Sequence, residues 1–366
     1  MAGATAAAAR VERQVSGIVG RSWAGLDAVS FRTDVLRRLR RIVPVDAAFF
    51  ATVDPVTLLF TSALAEDPLA AATPLFLDNE FGCQDVNKFA ALAEALSPVA
   101  SLDLATAGDR TASPRYREVM APLGLGDELR AALVCGHHCW GVLCLHREES
   151  PSGFTARELD LVRRLVPHLA EGLRRAVTAD ATGPPTPTGS QAAGILVLDA
   201  DLGLVSMSAE AEQWLADVPA HHWPGVRELP LPVYAAAARL ALAERARPSD
   251  APAPGTVRLR GRSGQWLSLH ATRLQGPAGL QIGVVVQAAQ PAELSSLLLS
   301  AHGLTGAQAR VAALVLKGRS TRQIVAELHV SANTVQEHLT AVFDKFGVRS
   351  RRELVGAVLS AAAAPH

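Results

Sequence analysis

The apolar residues of this chain change period at recognisable points. In VLRRLRRIVPVDAAFFATVD (35–54) they keep the spacing of an amphipathic helix as far as Pro44 and then run together in β-forming residues, which predicts a helix followed by a strand. ELRAALVCGHHCWGVLCLHRE (128–148) sets two apolar runs around a Gly-His-His turn, the pattern of a hairpin. In FTARELDLVRRLVPHLAEGLRRA (154–176), Leu159, Val162, Leu165, Val166, Leu169 and Leu173 recur at helical spacing, and Thr155 with Glu158 forms a capping box at the start. All periodicity stops at ADATGPPTPTGSQAAG (179–194), where Pro, Gly, Thr and Ser mark a linker.

A second unit follows. Ile195 to Leu198 reads as a buried strand, Asp199-Ala-Asp-Leu-Gly as a turn, Leu204 to Met207 as a returning strand, and a helix comes next. After a polar loop, RPSDAPAPG (247–255), three more strands are predicted in TVRLRG, QWLSLHATRL and LQIGVVVQA. Two strands, a helix and three strands is an α+β order, with helices on one face of an antiparallel sheet. PAELSSLLLSAHG (291–303) reads as a connecting helix.

From residue 304 to 360 no strand is predicted. Thr305 with Gln308 and Ser320 with Gln323 form capping boxes, Ser331 caps a third helix, and a fourth begins at Ser350 after Gly347. Gly318 ends the first of these from the left-handed region. Helices so short and so closely joined need a common core, for which Val311, Leu314, Val315, Ile324, Val325, Leu328, Val335, Leu339, Val342 and Phe346 are available. Only His329-Val-Ser separates the second helix from the third, the spacing of a helix-turn-helix. At 100° per residue, Val335, Leu339, Val342, Phe343 and Phe346 share one side of the third helix, and Asn333, Glu337, Thr340, Ala341 and Asp344 share the other.

Size and charge narrow the choice of function. A chain of 366 residues with 49% apolar and 19% charged residues makes packed domains, and at about 100 to 200 residues each it makes two or three. Thirty-five basic residues balance 35 acidic ones, so attraction to nucleic acid has to be local. Residues 304–366 supply it, with eight basic side chains (Arg310, Lys317, Arg319, Arg322, Lys345, Arg349, Arg351, Arg352) against four acidic ones (Glu327, Glu337, Asp344, Glu353). No run reaches the roughly 18 apolar residues of a membrane helix, and MAGATAAAAR lacks the apolar core of a signal peptide, so a cytoplasmic protein is expected. There is no GxxxxGK[ST], HExxH or Gly-x-Ser-x-Gly, and no enzyme is expected. Asp54 before Pro55 and Asp199 read as turn-formers rather than phosphate acceptors.

LTGAQARV at 304, GRSTRQIVAEL at 318, SANTVQEHL at 331 and KFGVRSRREL at 345 resemble, in that order, the LuxR-type (NarL/FixJ-type) helix-turn-helix domain of bacterial transcription regulators. The resemblance implies that the helix from Ser331 to Phe346 enters the major groove and that the helix after Ser350 joins two subunits. Two departures stand out: the family usually has Glu where Gln308 stands, and often Lys or Asn at the positions of Gln336 and Glu337. The first turns of a recognition helix reach deepest, so Asn333, Gln336, Glu337 and Thr340 are expected to read bases and Asp344 to lie outside the groove. Glu337 suits a cytosine amino group, and Asn333 or Gln336 suits adenine. Arg319, Ser320, Thr321, Arg322, Ser331, Thr334, His338, Lys345, Arg349 and Arg351 are expected at the DNA backbone.

FFATVDPVTLLFTS (49–62), SPRYREVMAPLGLGDELRAAL (113–133) and the segment 139–173 resemble GAF-type sensory domains, and GILVLDADLGLVSMSAEAEQWL with its strand order resembles a PAS domain. The expected fold class is therefore α+β. Two α/β sensory domains, GAF-like at 1–178 and PAS-like at 192–290, are joined by a linker at 179–191. A connecting helix at 291–303 leads to an all-α four-helix LuxR-type domain at 304–366. The expected partners are double-stranded DNA, a second copy of the chain in a homodimer, and an unidentified small-molecule effector, with no membrane. Cys135, His137, His138, Cys139, Cys144 and His146 crowd one hairpin, with Cys83 elsewhere, and zinc, haem, iron–sulfur or oxidation are options for them. A tight hairpin aims four adjacent ligands poorly at one point, so no metal or cofactor is expected. The rival functions are a dimerisation scaffold without DNA binding and a haem, metal or redox sensor.

Overall fold

A computed structural model describes residues 2–150, 152–179, 192–219, 229–242, 255–276 and 279–362. Most of the expected linker and of the 247–255 loop lies outside the described residues. Strands β1 (Ala47–Val53), β2 (Phe60–Ala65), β3 (Val99–Ser101), β4 (Leu125–Cys135) and β5 (His138–Glu148) form an antiparallel sheet in the order β2-β1-β5-β4-β3. The predicted hairpin is β4–β5, and it turns at Gly136, whose φ of 65° favours a residue without Cβ.

Helices cover both faces of this sheet. On one side lie α2 (Ala28–Leu39) and α6 (Ala156–Ala179), flanked by α1 (Ala2–Arg21), and they bury Ala48, Phe50, Leu143 and Leu145. On the other lie α3 (Thr73–Gly82), α4 (Phe89–Glu94) and α5 (Leu102–Ala105), above Phe49, Ala51, Val142 and Cys144. Burial from both sides explains why β1 is buried at every position and apolar at all of them but Thr52. All six apolar positions predicted on α6 are buried. Its capping box forms, with the Thr155 N–H donating to Glu158 Oε2 at 2.8 Å and the Glu158 N–H to Thr155 Oγ1 at 3.4 Å.

The second sheet contains β6 (Gly194–Leu198), β7 (Leu204–Met207), β8 (Thr256–Arg260), β9 (Trp266–Gly276) and β10 (Gly279–Ala288). Its order, β7-β6-β10-β9-β8, repeats that of the first sheet. The predicted helix is α7 (Ala209–Asp217), capped by Ser208. The pattern reading missed α8 (Leu231–Leu242), because LPVYAAAARLAL has no polar stripe to set against an apolar one. Val233, Tyr234 and Ala235 to Ala238 are all buried, since α8 is wedged between β2 and α3 of the first unit and β9 of the second. One apolar core consequently runs through both units, from Phe49 and Phe76 to Trp214 and Leu267. The far face of the second sheet leaves Ile195 exposed, as the one-sided packing expected for it requires, and the edge strand β7 is exposed along its whole length.

The segment expected to connect is α9 (Pro291–Ala301), and it is more than a connector. Leu294, Leu297, Leu298 and Leu299 are buried in one core with α10 (Gly306–Leu316), α11 (Thr321–Leu328), α12 (Ala332–Phe346) and α13 (Arg351–Ala362).

Candidate nucleic-acid interface

Local chemistry places α12. The Thr305–Gln308 and Ser320–Gln323 capping boxes both form, and Ser331 Oγ accepts the Thr334 N–H at 3.0 Å. Gln308, the departure from the family pattern, still completes its cap: Oε1 accepts the Thr305 N–H at 3.0 Å. His329 ends α11 in the left-handed region, φ 52° and ψ 43°, which turns the chain sharply into α12. Gly347, at φ 65°, ends α12. Val335, Leu339 and Val342 anchor the inner side of α12 in the core, and Phe343 and Phe346 pack at its edge. Of the predicted core residues, Leu314, Val325, Leu328 and Phe346 are partly rather than fully buried.

The outer side of α12 presents Asn333, Gln336, Glu337 and Thr340, all exposed. They are not independent. Asn333 Nδ2 donates to Glu337 Oε1 at 2.8 Å, and Thr340 Oγ1 donates to the Gln336 carbonyl at 3.1 Å. Glu337 thus keeps one carboxylate oxygen for a further donor, and Thr340 turns its hydroxyl back to the helix.

The residues expected at the DNA backbone divide into two groups. Arg322 and Arg349 are exposed beside the helix, and His338 is half-buried. The others also serve the fold: Ser320 and Ser331 are caps, Thr334 Oγ1 lies 2.9 Å from Ser331 Oγ, and Arg319 pairs with Glu327 at 2.9 Å. Arg351 donates to the Arg319 carbonyl at 2.9 Å and to Thr321 Oγ1 at 2.8 Å. Lys345 Nζ donates to the Gly303 carbonyl at 2.7 Å and to Gln308 Oε1 at 2.8 Å. Beside it the His302 ring stacks on Phe346, centroids 3.7 Å apart and planes 13° from parallel. Burial pushes the His302 pKa down. This joint between α9 and the end of α12 leaves no mark in the apolar pattern, because its partners are 44 positions apart.

The cysteine–histidine hairpin resolves differently from its sequence. Of the six residues singled out, only Cys144 and His146 come together, and the donor that joins them is Glu128 on β4, which the sequence reading passed over. Their donor atoms lie within 4.8 Å of one another. A carboxylate, a thiol and an imidazole are donor types that transition metals take. However, Arg115 Nε already donates to Glu128 Oε2 at 2.8 Å, and Arg130 Nε stands 3.7 Å from Oε1. Burial drives the Glu128 pKa up, but the two guanidinium charges outweigh it and hold the group at about 2. Burial lowers His146 to about 4 and pushes the Cys144 thiol far up. Arg130 also pairs with Glu80 at 2.6 Å and lies 3.7 Å above the Phe89 ring. Fixed cations beside Glu128 disfavour an added one, so the group fits a buried ion-pair lattice better than a metal site.

The short joint, capped second helix and exposed polar side of the third define the C-terminal region as a helix-turn-helix unit. Residues 302–358 match the family model of bacterial regulatory proteins of the luxR family, and residues 31–173 match the GAF domain model. The chain therefore carries a LuxR-type DNA-binding domain behind a GAF domain. A comparison with curated proteins finds no match. Among solved structures, the ligand-binding domain of VqsR from Pseudomonas aeruginosa is similar at 21% identity over 44% of this chain and 95% of that one, TM-score 0.31. The Vibrio cholerae VqmA dimer, described as a LuxR-type receptor, is similar at 17% identity over 46% and 82%, TM-score 0.21. The Escherichia coli DhaR(N)–DhaL complex is similar at 13% identity over 78% and 90%, TM-score 0.22.

Proposed function

We propose that this chain is a bacterial, cytoplasmic, sequence-specific transcription regulator that binds double-stranded DNA as a homodimer under the control of its N-terminal units. The observation that carries the reading is the row Asn333, Gln336, Glu337 and Thr340, exposed on a helix whose opposite side is locked into the core. These four read bases. Arg322 and Arg349 meet phosphate directly, with Arg319, Ser320, Thr321, Ser331, Thr334, His338, Lys345 and Arg351 around them as contacts that also brace the helix.

Residues 192–290 act as a PAS-like second input unit; the strand order shared with the GAF sheet supports this. Dimerisation follows from paired half-sites, since one helix-turn-helix reaches few base pairs. Leu354 and Val358 of α13 are buried in the core with α9, so the face of α13 left for a second copy is that of Arg352, Glu353 and Gly356.

Selection of a consensus site in vitro, followed by a gel-shift titration across salt, tests the proposal. A steep negative dependence of log affinity on log salt and a preferred sequence are expected. A flat slope with no selected sequence would leave a dimerisation scaffold in its place.

A further inference from the structure

Arg258 stands where three parts of the chain meet. From β8 its Nε and Nη2 donate to the two carboxylate oxygens of Asp54, each at 2.9 Å, and its backbone N–H donates to Asp54 Oδ2 at 3.0 Å. Asp54 follows β1 in the first unit and forms the turn expected of it, with Oδ1 accepting the Val56 N–H at 2.9 Å. Its second role, joining the two sheet units, is invisible in sequence. The remaining arm of Arg258, Nη1, donates to the Glu293 carbonyl at 2.7 Å and to Ser296 Oγ at 3.0 Å, in the first two turns of α9. Next to it, Glu293 Oε1 lies 2.6 Å from His270 Nε2 of β9.

The other end of α9 is the joint already described. There His302 stacks on Phe346, Lys345 holds the Gly303 carbonyl, and Arg174 of α6 donates to the Ala301 carbonyl. A bonded path thus runs from the β1 turn through Arg258 and α9 to the end of the DNA-reading helix.

We propose that Arg258 is the positioning residue that sets how α9, and with it α12, leaves the two sheet units. The inference rests on the DNA-binding reading above. The chemistry favours a clamp with two states over a gradual one. A planar guanidinium meeting both oxygens of one carboxylate fixes orientation as well as distance. Both side chains are almost fully buried, so a partly broken pair leaves a desolvated charge and is strongly disfavoured. A cleft of about 480 Å³ opens beside the clamp, and Thr52, Val53, Arg258, Trp266 and Leu297 on its walls belong to all three parts. A molecule entering it touches first unit, second unit and α9 together.

Hydrogen–deuterium exchange of the full chain tests the clamp. Arg258→Ala alone strands Asp54, so the first variant is Arg258→Met with Asp54→Asn, which removes the pair and keeps an acceptor for Val56. The second, Ser296→Ala, removes one hydroxyl and leaves the pair and the fold in place. Both are expected to exchange faster in the first turns of α9, by about tenfold in the double variant, with a melting transition retained. Operator affinity of the double variant is expected to differ from the parent's by about fivefold or more. Unchanged exchange across α9 in both variants overturns the clamp. Faster exchange at unaltered operator affinity overturns its link to DNA. A parent chain that selects no sequence sinks the DNA-binding reading, while the exchange result still judges the clamp.

Discussion

Replacing Glu337 by Gln isolates the role of a negative charge on a helix proposed to lie in a DNA groove. Glu337 is exposed and its structural work is one bond, accepting from Asn333 Nδ2 at 2.8 Å. The amide oxygen of Gln keeps that bond, so stability should change by no more than about 0.5 kcal/mol. The free carboxylate oxygen is what changes. It accepts from a cytosine amino group and is repelled by the acceptor atoms of guanine, whereas an amide either accepts or donates and tolerates both. One such contact discriminates by about 1–3 kcal/mol, which is a preference of about 5- to 150-fold at a single base pair. Competition binding at fixed salt, with probes altered at one base pair at a time, measures it. Relaxed preference at one position is expected, with no loss of non-specific affinity, because an anion has been removed from beside phosphate. Identical preferences at every position would remove Glu337 from the readers, and an equal loss on all sequences would show that it only shapes the helix.

Other expectations follow from the same structure. Arg322→Ala should make the salt slope shallower by about 0.9, one phosphate's worth, and an unchanged slope in a salt titration would take Arg322 off the backbone. Leu339→Ala opens a cavity in the core of the C-terminal helices and should cost about 2–5 kcal/mol in urea unfolding; a smaller loss would mean that α12 is not anchored there. Acid should weaken the first unit. Burial holds His146 at about 4 in the folded chain against 6.5 unfolded, so the unfolded chain binds the extra proton between those values. Stability is complete above about pH 6.5 and falls as pH drops to about 4, by about 3 kcal/mol, and Glu128, held at about 2, extends the loss below 4.5. Melting curves across pH for the parent and His146→Leu check this: the substitution should flatten the limb between about 6.5 and 4, and an unaltered limb would exonerate His146.

The helix-turn-helix was legible because its determinants are local. Each cap is satisfied within three residues of itself, the sides of α12 follow from 100° per residue, and Gly347 and Gly318 stop helices by their own backbone freedom. The hairpin β4–β5, β1, the strands of the second sheet and helix α6 were legible for the same reason, since period and turn chemistry are properties of adjacent residues, whereas the short strands β2 and β3 were not predicted. Helix α8 escaped because an alanine run carries no period, and only the surfaces on either side of it explain its composition. The partners Asp54 and Arg258, Glu128 and His146, and His302 and Phe346 also escaped. What determines them is which buried surfaces meet, and a desolvated charge or ring takes the partner that the packed sheets and helices bring to it. Sequence alone therefore determined what the C-terminal helices are and which side chains of α12 they leave exposed. Tertiary structure decided how those helices are tied to the units before them, because the ties join groups far apart along the chain that only folding desolvates together.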